Sequence, residues 1–562
     1  MLLKRILTCL SLLAIASAAN AQWSSDPAVN LAVANAGGTQ EMPKVAPTLD
    51  GGCYVSWYNG ASGGDVRLQK LDAAGNEVFA HNGILVADLS FSWFQDYCLD
   101  VDAFGNALLT FRDDRGDGTQ ITAAKVSPAG LPLWGATGVQ LTNTTDYVAS
   151  PDIAATTDGG AVVAWTEGSA IVRLQKLDAD GNPLWGTGVT ISSETGAYHE
   201  CDLHCSGTDA ILSFTYTGAL ANWIYLLAQK FDSDGNPLWG ASPITLFDAG
   251  SIQDANYPEF VLDGSGGAVF SWYDVSTGLQ CYVQHVRADG TEAFPHNGSA
   301  TSTATTRSRV SPMAAFNRFT NETFVFWEEK NRGQTRCGVY GQKFDASGGR
   351  QWTDEGVVIE PISSESFTNL RCLTEGTSAF VFWVQSHAFE RDSVFGARLN
   401  SAGVIDVAPF SVASTPSGKS RMVMARSSAG FAVLAWSDTR ADKGDIFVQN
   451  VNADGTLGSP TTGVPVDVSK GSELFLGAPW PNPASNSTRI EYRAAAPGKV
   501  ALEIYDIRGR IVRAWSAGAG PRSGMVVWDG RDNNGARMAC GVYFVRLKNG
   551  VAVRTARVVL IR

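Results

Sequence analysis

Residues 177–186 read LDADGNPLWG, and residues 231–240 read FDSDGNPLWG. Asp178, Asp180 and Asn182 offer oxygens at alternate positions, as the start of a calcium loop does. The competing reading is a turn between two strands. Six cousins stand at the same place in the chain: DAAGN (72–76), SPAGL (127–131), RADGT (287–291), DASGG (345–349), NSAGV (400–404) and NADGT (452–456). All eight keep the glycine, while the second acid is often replaced. A cation site needs its ligands; a tight hairpin needs the residue that tolerates positive φ. The hairpin is therefore favoured, with calcium at Asp178, Asp180 and Asn182 as the weaker alternative. No other cofactor is expected.

A second constellation recurs at the same interval. An aromatic returns as Trp57, Phe111, Trp165, Phe214, Trp272, Trp327, Trp383 and Trp436. Two residues further stand Asn59, Asp113, Glu167, Tyr216, Asp274, Glu329, Gln385 and Asp438. Carboxylates here could bind cations or sugars, or supply the acid and base of glycoside cleavage. Asp113, Asp274, Glu329 and Asp438 are the catalytic candidates on that reading. A catalytic group is needed once, whereas this position is filled in every repeat. An acceptor for loop N–H groups is thus the favoured role.

Two denser clusters are weaker. HECDLHC (199–205) would place His199, Cys201 and Cys205 on one strand face and His204 on the other. Positions four apart on a strand are roughly 13 Å apart, too far to share one zinc. DDRGDGT (113–119) has Arg115 where a calcium ligand belongs, and its Arg-Gly-Asp tripeptide is too short to carry an adhesive function. No phosphate-binding, dinucleotide or nucleophile-elbow pattern stands in the helical context it requires.

The element that must position these residues is a repeat. PKVAPTLDGGCYVSW (43–57), PDIAATTDGGAVVAW (151–165) and PEFVLDGSGGAVFSW (258–272) run from Pro to Trp in the same number of steps. Eight copies give a period of about 54 residues. Within 150–194 the pattern is a strand, a Gly-Gly turn, the apolar run AVVAW, a partly alternating strand, a hairpin and a last strand. This predicts an all-β chain whose residues 22–470 form a β-propeller of four-stranded blades, eight in number with seven as the alternative. The recurring aromatics would fill the wedges between blades. Two segments compete for the last strand of the final blade: residues 23–35 at the start and 463–469 at the end.

Residues 1–21 read as a secretory signal peptide: Lys4 and Arg5, an apolar stretch, then Ala19-Asn20-Ala21. Losing it moves the net charge from −12 to −14. An acidic surface excludes nucleic acid and anionic membrane as partners. No further apolar stretch is long enough to span a bilayer. The cysteines show no disulfide framework, so mostly single buried thiols are expected, with at most one pair.

These units resemble a bacterial secreted family of propeller-type repeats, best matched by residues 436–455. In the tail, 471–562, the period stops. PNP, YD-x-x-GR, WDG-x-D-x-x-G and GVYF-x-RL follow in order between Pro481 and the C-terminus. These blocks resemble the immunoglobulin-like domain of flagellar hook-capping proteins and the C-terminal sorting domain of type IX secretion cargo. The resemblance implies a small β-sandwich and export through the periplasm to the surface or medium, with the export machinery as a partner.

The favoured function is a binding scaffold for an extracellular glycan, protein or matrix, more a binder than an enzyme. The alternatives are a glycoside hydrolase or lyase with an axial active site, and a structural surface-layer component.

Overall fold

Each repeat folds into four short antiparallel strands laid side by side in chain order. The first sheet is Gln40–Pro47, Cys53–Asn59, Asp65–Leu71 and Ile84–Ala87. Seven more follow. Their first strands are Cys98–Val101, Val148–Ala155, Gly196–Ser206, Phe260–Leu262, Arg307–Asn317, Ser366–Glu375 and Lys419–Arg426. The computed structural model describes residues 23–60, 63–90, 97–168, 170–218, 223–253, 258–276 and 278–459. Towards the C-terminus it describes 475–476, 479, 482, 484, 487–494, 499–519, 522–549 and 552–561. The signal peptide and residues 463–469 lie outside the described residues.

First strands of consecutive sheets touch throughout the series, and the first strand of the eighth sheet touches that of the first. This is the stacking of β-propeller blades, and no helix occurs among the described residues. The eighth sheet takes its outer strand from the chain's beginning: Leu31–Ala34 pairs antiparallel with Asp445–Val451. Second strands such as Cys53–Asn59 and Ala432–Asp438 are buried along their whole length. All eight repeat aromatics are buried, so each sheet contributes one large apolar side chain to a wedge that no sheet could bury alone.

The recurring hairpin has the conformation its glycine predicts. Gly75, Gly130, Gly181, Gly235, Gly290, Gly348, Gly403 and Gly455 all have φ between 80° and 89°. Close packing adds a second reason for glycine. A Cβ on Gly181 would come within 2.9 Å of the Trp134 ring, and one on Gly290 within 2.9 Å of Trp239. These tryptophans belong to the preceding sheet. Their indole N–H groups donate into the next hairpin: Trp134 to Ala179 O (3.0 Å), Trp185 to Ser233 O (2.9 Å) and Trp239 to Ala288 O (3.1 Å). In the third and fourth sheets a buried glutamine holds the tryptophan's backbone: Gln175 Oε1 accepts Trp185 N–H and Gln229 Oε1 accepts Trp239 N–H. The NPLWG turn is thus a staple from one sheet to the next. Trp23 performs the same act between the eighth sheet and the first, donating to Ala73 O at 3.0 Å over Gly75.

Six of the eight first strands carry a bulge. Register shifts fall between Glu41 and Lys44, Ala149 and Asp152, Glu200 and Asp202, Val310 and Met313, Thr368 and Arg371, and Ser420 and Val423. Met42, Ser150, Ser311, Asn369 and Arg421 take positive φ there, between 48° and 55°. A bulge lets one strand bend and re-aim the following side chain.

The tail forms two further sheets. One has Phe475–Leu476, Thr488–Ala494 and Arg522–Trp528; the other has the order Ile511–Ala519, Lys499–Tyr505, Gly541–Asn549, Ala552–Leu560. Ile490 and Trp528 from the first pack with Val500, Leu502, Val545 and Val558 from the second, so the two faces share one core, as in a sandwich. Seven cysteines (Cys53, Cys98, Cys205, Cys281, Cys337, Cys372, Cys540) are free thiols.

Candidate functional site

The position two residues beyond the repeat aromatic lies at the end of the second strand, opposite a fixed partner on the first. The pairs are Gln40 with Asn59, Val148 with Glu167, Tyr198 with Tyr216, Arg309 with Glu329, Phe367 with Gln385 and Lys419 with Asp438. The four catalytic candidates occupy four different sheets, and each is engaged by donors of its own surroundings. Asp113 accepts the backbone N–H of Arg115 (3.0 Å) and its guanidinium (2.5 Å). Asp274 accepts the N–H groups of Ser251 (3.0 Å) and Ser276 (2.8 Å) and the Ser276 hydroxyl (2.7 Å). Glu329 accepts the Trp327 indole N–H (2.6 Å) and pairs with Arg309 (3.0 Å). Asp438 accepts the Trp436 indole N–H (2.9 Å), Ser417 Oγ–H (2.6 Å) and Arg440 (2.7 Å), with Lys419 Nζ at 3.4 Å.

Electrostatics divide these groups. Burial opposes the charge on Asp438, but Arg440, Lys419 and Ser417 outweigh it and hold the carboxyl below its ordinary range. Burial wins at Glu329, despite Trp327 and Arg309, and raises it. Asp113 is lowered because Arg115 outweighs burial, so the arginine of the Arg-Gly-Asp tripeptide is folded back onto its own loop.

The calcium candidates form an Asx turn. Asp178 Oδ1 accepts the N–H groups of Asp180 (2.9 Å) and Asn182 (2.8 Å), and Oδ2 accepts Asn182 Nδ2–H (2.9 Å). The turn's own amides hold the carboxylate below its usual range, with the Asn182 side chain first. Among the described residues no group of three or more His, Cys, Asp or Glu is arranged to hold a metal.

Within 199–205 the expected simple alternation does not occur. The bulge between Glu200 and Asp202 pairs these residues with neighbouring positions, Phe214 and Ser213, and resets the faces. The chemistry of this strand is instead shared with other sheets. Asp100, Asp152 and Asp202 lie on the first strands of the second, third and fourth sheets. Each passes one carboxylate oxygen to the next sheet's first strand: Asp100 to Ala155 N–H (2.8 Å), Asp152 to Leu203 N–H (3.0 Å), Asp202 to Phe260 N–H (2.7 Å). His204 Nε2 stands 3.4 Å from Asp202. Sequence reasoning missed this arc because its members are about fifty residues apart and stand at unequal distances from the turns that follow, Asp100 five before Gly105 and Asp152 seven before Gly159.

Burial, then the Asp202 charge, lifts the Asp152 carboxyl well above the carboxylate range. Burial works against the His204 imidazolium, yet Asp202, with Asp152 and Asp100 behind it, raises its pKa to about 9. An unfolded histidine titrates near 6.5. The folded-state contact therefore stabilises fully below about pH 6.5 and fades as pH rises through 9. The raised Asp152 acts in the same direction over a lower range. The urea midpoint should fall between pH 6.5 and 9 more steeply in the wild type than in His204→Gln; parallel pH profiles would contradict this coupling.

Residues 484–550 match the family model of the FlgD Ig-like domain. No curated protein sequence matches the chain. Among solved structures it is similar to the BP39L lectin from Burkholderia pseudomallei (15% identity, covering 66% of this chain and 100% of that one, TM-score 0.41). It is also similar to polysaccharide lyase Uly1 (11%, 76% and 92%, TM-score 0.38) and to the β-propeller domain of the Trilobed protease from Pyrococcus furiosus (8%, 68% and 100%, TM-score 0.38). At these identities and TM-scores the likenesses assign neither ligand nor reaction to this chain.

The motifs of the FlgD Ig-like domain are turn and core devices. In YD-x-x-GR, Asp506 accepts the N–H groups of Arg508 (2.9 Å) and Arg510 (3.0 Å). In WDG-x-D-x-x-G, buried Trp528 donates to Arg531 O (2.8 Å), and Asp532 accepts Asn534 and Ala536 N–H. In GVYF, the Tyr543 hydroxyl donates to Ala539 O (2.6 Å).

Proposed function

We propose that the chain is an exported eight-bladed β-propeller that binds an extracellular glycan, protein or matrix, with the C-terminal domain serving export and sorting. Strand exchange through Leu31–Ala34 supports eight blades. One observation carries the binding reading: the four carboxylates best suited by sequence to acid–base work are each engaged by a loop amide, hydroxyl or cation of their own sheet. Diversity on a rigid repeat frame then falls to the loops after the second strands, such as residues 167–171 against 385–392. The test is a glycan array together with a pull-down from extracellular and surface material, using the mature full chain. Specific retention on one of them is expected; two empty results overturn the reading.

One observation favours an enzyme as the second reading. Asp152, with a carboxyl pushed up to about 7, Asp202 and His204, whose Nε2 is 3.4 Å from Asp202, lie together in the first strands where an axial site would lie. Polysaccharides incubated with the chain would be assayed for new reducing ends and unsaturated products. Turnover that Asp152→Asn abolishes without lowering the melting temperature supports it; no turnover retires it.

A further inference from the structure

We propose that the fourth sheet carries a stacking site for a neutral glycan, built on Tyr198, Tyr216 and Tyr225 and bordered by Trp223. The proposal rests on the binding reading above and names its ligand class and its place.

The three tyrosines form one row across three strands. Tyr198 is opposite Tyr216, and Tyr216 is opposite Tyr225. Ring centroids are 5.0 Å apart in the first pair and 6.4 Å in the second, where the rings stack. Residues two apart on a strand share a face, so the next row outward from Tyr198 and Tyr216 is Gly196 and Gly218, themselves in register. A Cβ on Gly196 would come within 2.5 Å of the Tyr216 ring. Glycine at both places makes room for the Tyr216 ring, and neither position adds a side chain of its own to the row. Trp223, at the strand's edge beyond Tyr225, is 46% exposed.

Part of each ring packs against the core shared by the third and fourth sheets, and the remainder of each is exposed. In the sixth and eighth sheets the equivalent pairs are sealed ion pairs, Arg309 with Glu329 and Lys419 with Asp438, and in the first a buried amide pair, Gln40 with Asn59. The fourth sheet alone among these register pairs sets tyrosine against tyrosine, and all three rings of its row stay half-exposed.

The chemistry fits a pyranose. One face of such a ring is a patch of C–H bonds carrying slight positive charge, which suits the negative face of an aromatic ring, while the rim is hydroxyl. Hydroxyl partners border the row: Tyr216 OH shares a hydrogen bond with Thr195 Oγ1 (3.1 Å), and Thr195 with Ser193 Oγ (3.2 Å). Charge narrows the class. Glu194 is exposed on the same segment, and the chain as a whole carries −12. A polyuronate would be repelled, whereas a neutral chain carries no such penalty.

The test is titration calorimetry of the mature full chain with cellohexaose, xylohexaose, mannohexaose and chitohexaose, with polygalacturonate as the anionic control. At least one neutral hexasaccharide should bind and polygalacturonate should not. Tyr216→Ala and Trp223→Ala should each weaken binding about tenfold or more, and Tyr216→Phe, which keeps the ring, should weaken it less. Trp223 is exposed, so its variant should melt as the wild type does and serves if Tyr216→Ala fails to fold. Glycan binding that Trp223→Ala and Tyr216→Ala leave intact overturns this site while keeping the binding reading. Binding to polygalacturonate alone overturns the neutral class. Retention of proteins only, with no hexasaccharide bound, overturns the glycan assignment.

Discussion

Trp23→Ala should lower the unfolding free energy of the propeller by about 3–5 kcal/mol, the usual cost of truncating a buried tryptophan. Trp23 is 4% exposed. Its indole N–H reaches Ala73 O in the first sheet, and its ring meets Phe431 of the eighth edge-on, with centroids 6.0 Å apart. It lies in one core with Val33, Val55, Trp57, Val433 and Val448. The segment behind it is also held by the pairing of Leu31–Ala34 with Asp445–Val451 and by side-chain bonds: Asn30 Nδ2 donates to Val412 O and Gln449 Oε1, Arg440 donates to Asn30 Oδ1, Gln449 Nε2 donates to Ser24 O, and Ser414 N–H donates to Pro27 O. Closing a loop of some 400 residues rather than one of about 50 adds only about 2 kcal/mol, since each doubling costs about 0.6 kcal/mol. That cost makes the junction of the first and eighth sheets the least secured in the ring, so the loss of Trp23 should be felt there before the rest unfolds. Trp134→Ala is the control, because it removes the same indole contact between sheets that remain joined by the chain. Hydrogen exchange at Ile446, Phe447 and Val448 should quicken in Trp23→Ala and not in Trp134→Ala. Equal protection in the two variants would show that the ring does not depend on this latch.

The latch was half visible in the sequence. Residues 23–35 match the segment that begins at Trp134, so a fourth strand at the start of the chain was legible. That Trp23 completes the staple of the eighth repeat was not, because the turn at 452–456 is followed by Ser459 at the position where four other repeats have Trp134, Trp185, Trp239 and Trp352. The repeat period, the wedge aromatics and the hairpin glycine were legible because each recurs in every copy and answers a backbone or volume requirement. The bulges were hidden for the opposite reason: Met42, Ser150, Ser311, Asn369 and Arg421 share a conformation and no residue type. The arc of Asp100, Asp152 and Asp202 needs the stacking of sheets to be seen, and the tyrosine row needs the register of three strands. Single-strand reasoning about residues 199–205 looked for partners along the chain only, whereas Asp202 also has partners across it, Asp152 in the preceding sheet and Phe260 in the next.

Asp438→Ala should destabilise the propeller by about 3–5 kcal/mol, the range expected when one partner of a buried ion pair is removed and the other is left uncompensated. The side chains of Asp438 and Lys419 are wholly inaccessible. Burial already pushes the Lys419 ammonium down, and the Asp438 charge opposes that. Arg440 leans on the same carboxylate at 2.7 Å while its guanidinium covers the Phe447 ring at 3.9 Å. One carboxylate thus balances two cations and also accepts the Trp436 indole N–H that fixes the wedge aromatic. Asp438→Asn keeps the shape and removes the charge, so it should also destabilise, which separates charge balance from simple packing. The folded-state carboxyl is held below its ordinary value, so its contribution is present above about pH 4 and lost as pH falls through the folded pKa. Wild-type stability should therefore drop more on acidification than that of Asp438→Asn. These variants also decide the role of the repeated acid. A group kept for acid–base chemistry can be neutralised with little effect on melting, because its environment is built for reaction. A group kept to balance buried cations cannot. If Asp438→Asn and Glu329→Gln melt with the wild type, the carboxylates are not the structural plugs that their hydrogen bonds describe, and the axial enzyme gains its best candidates.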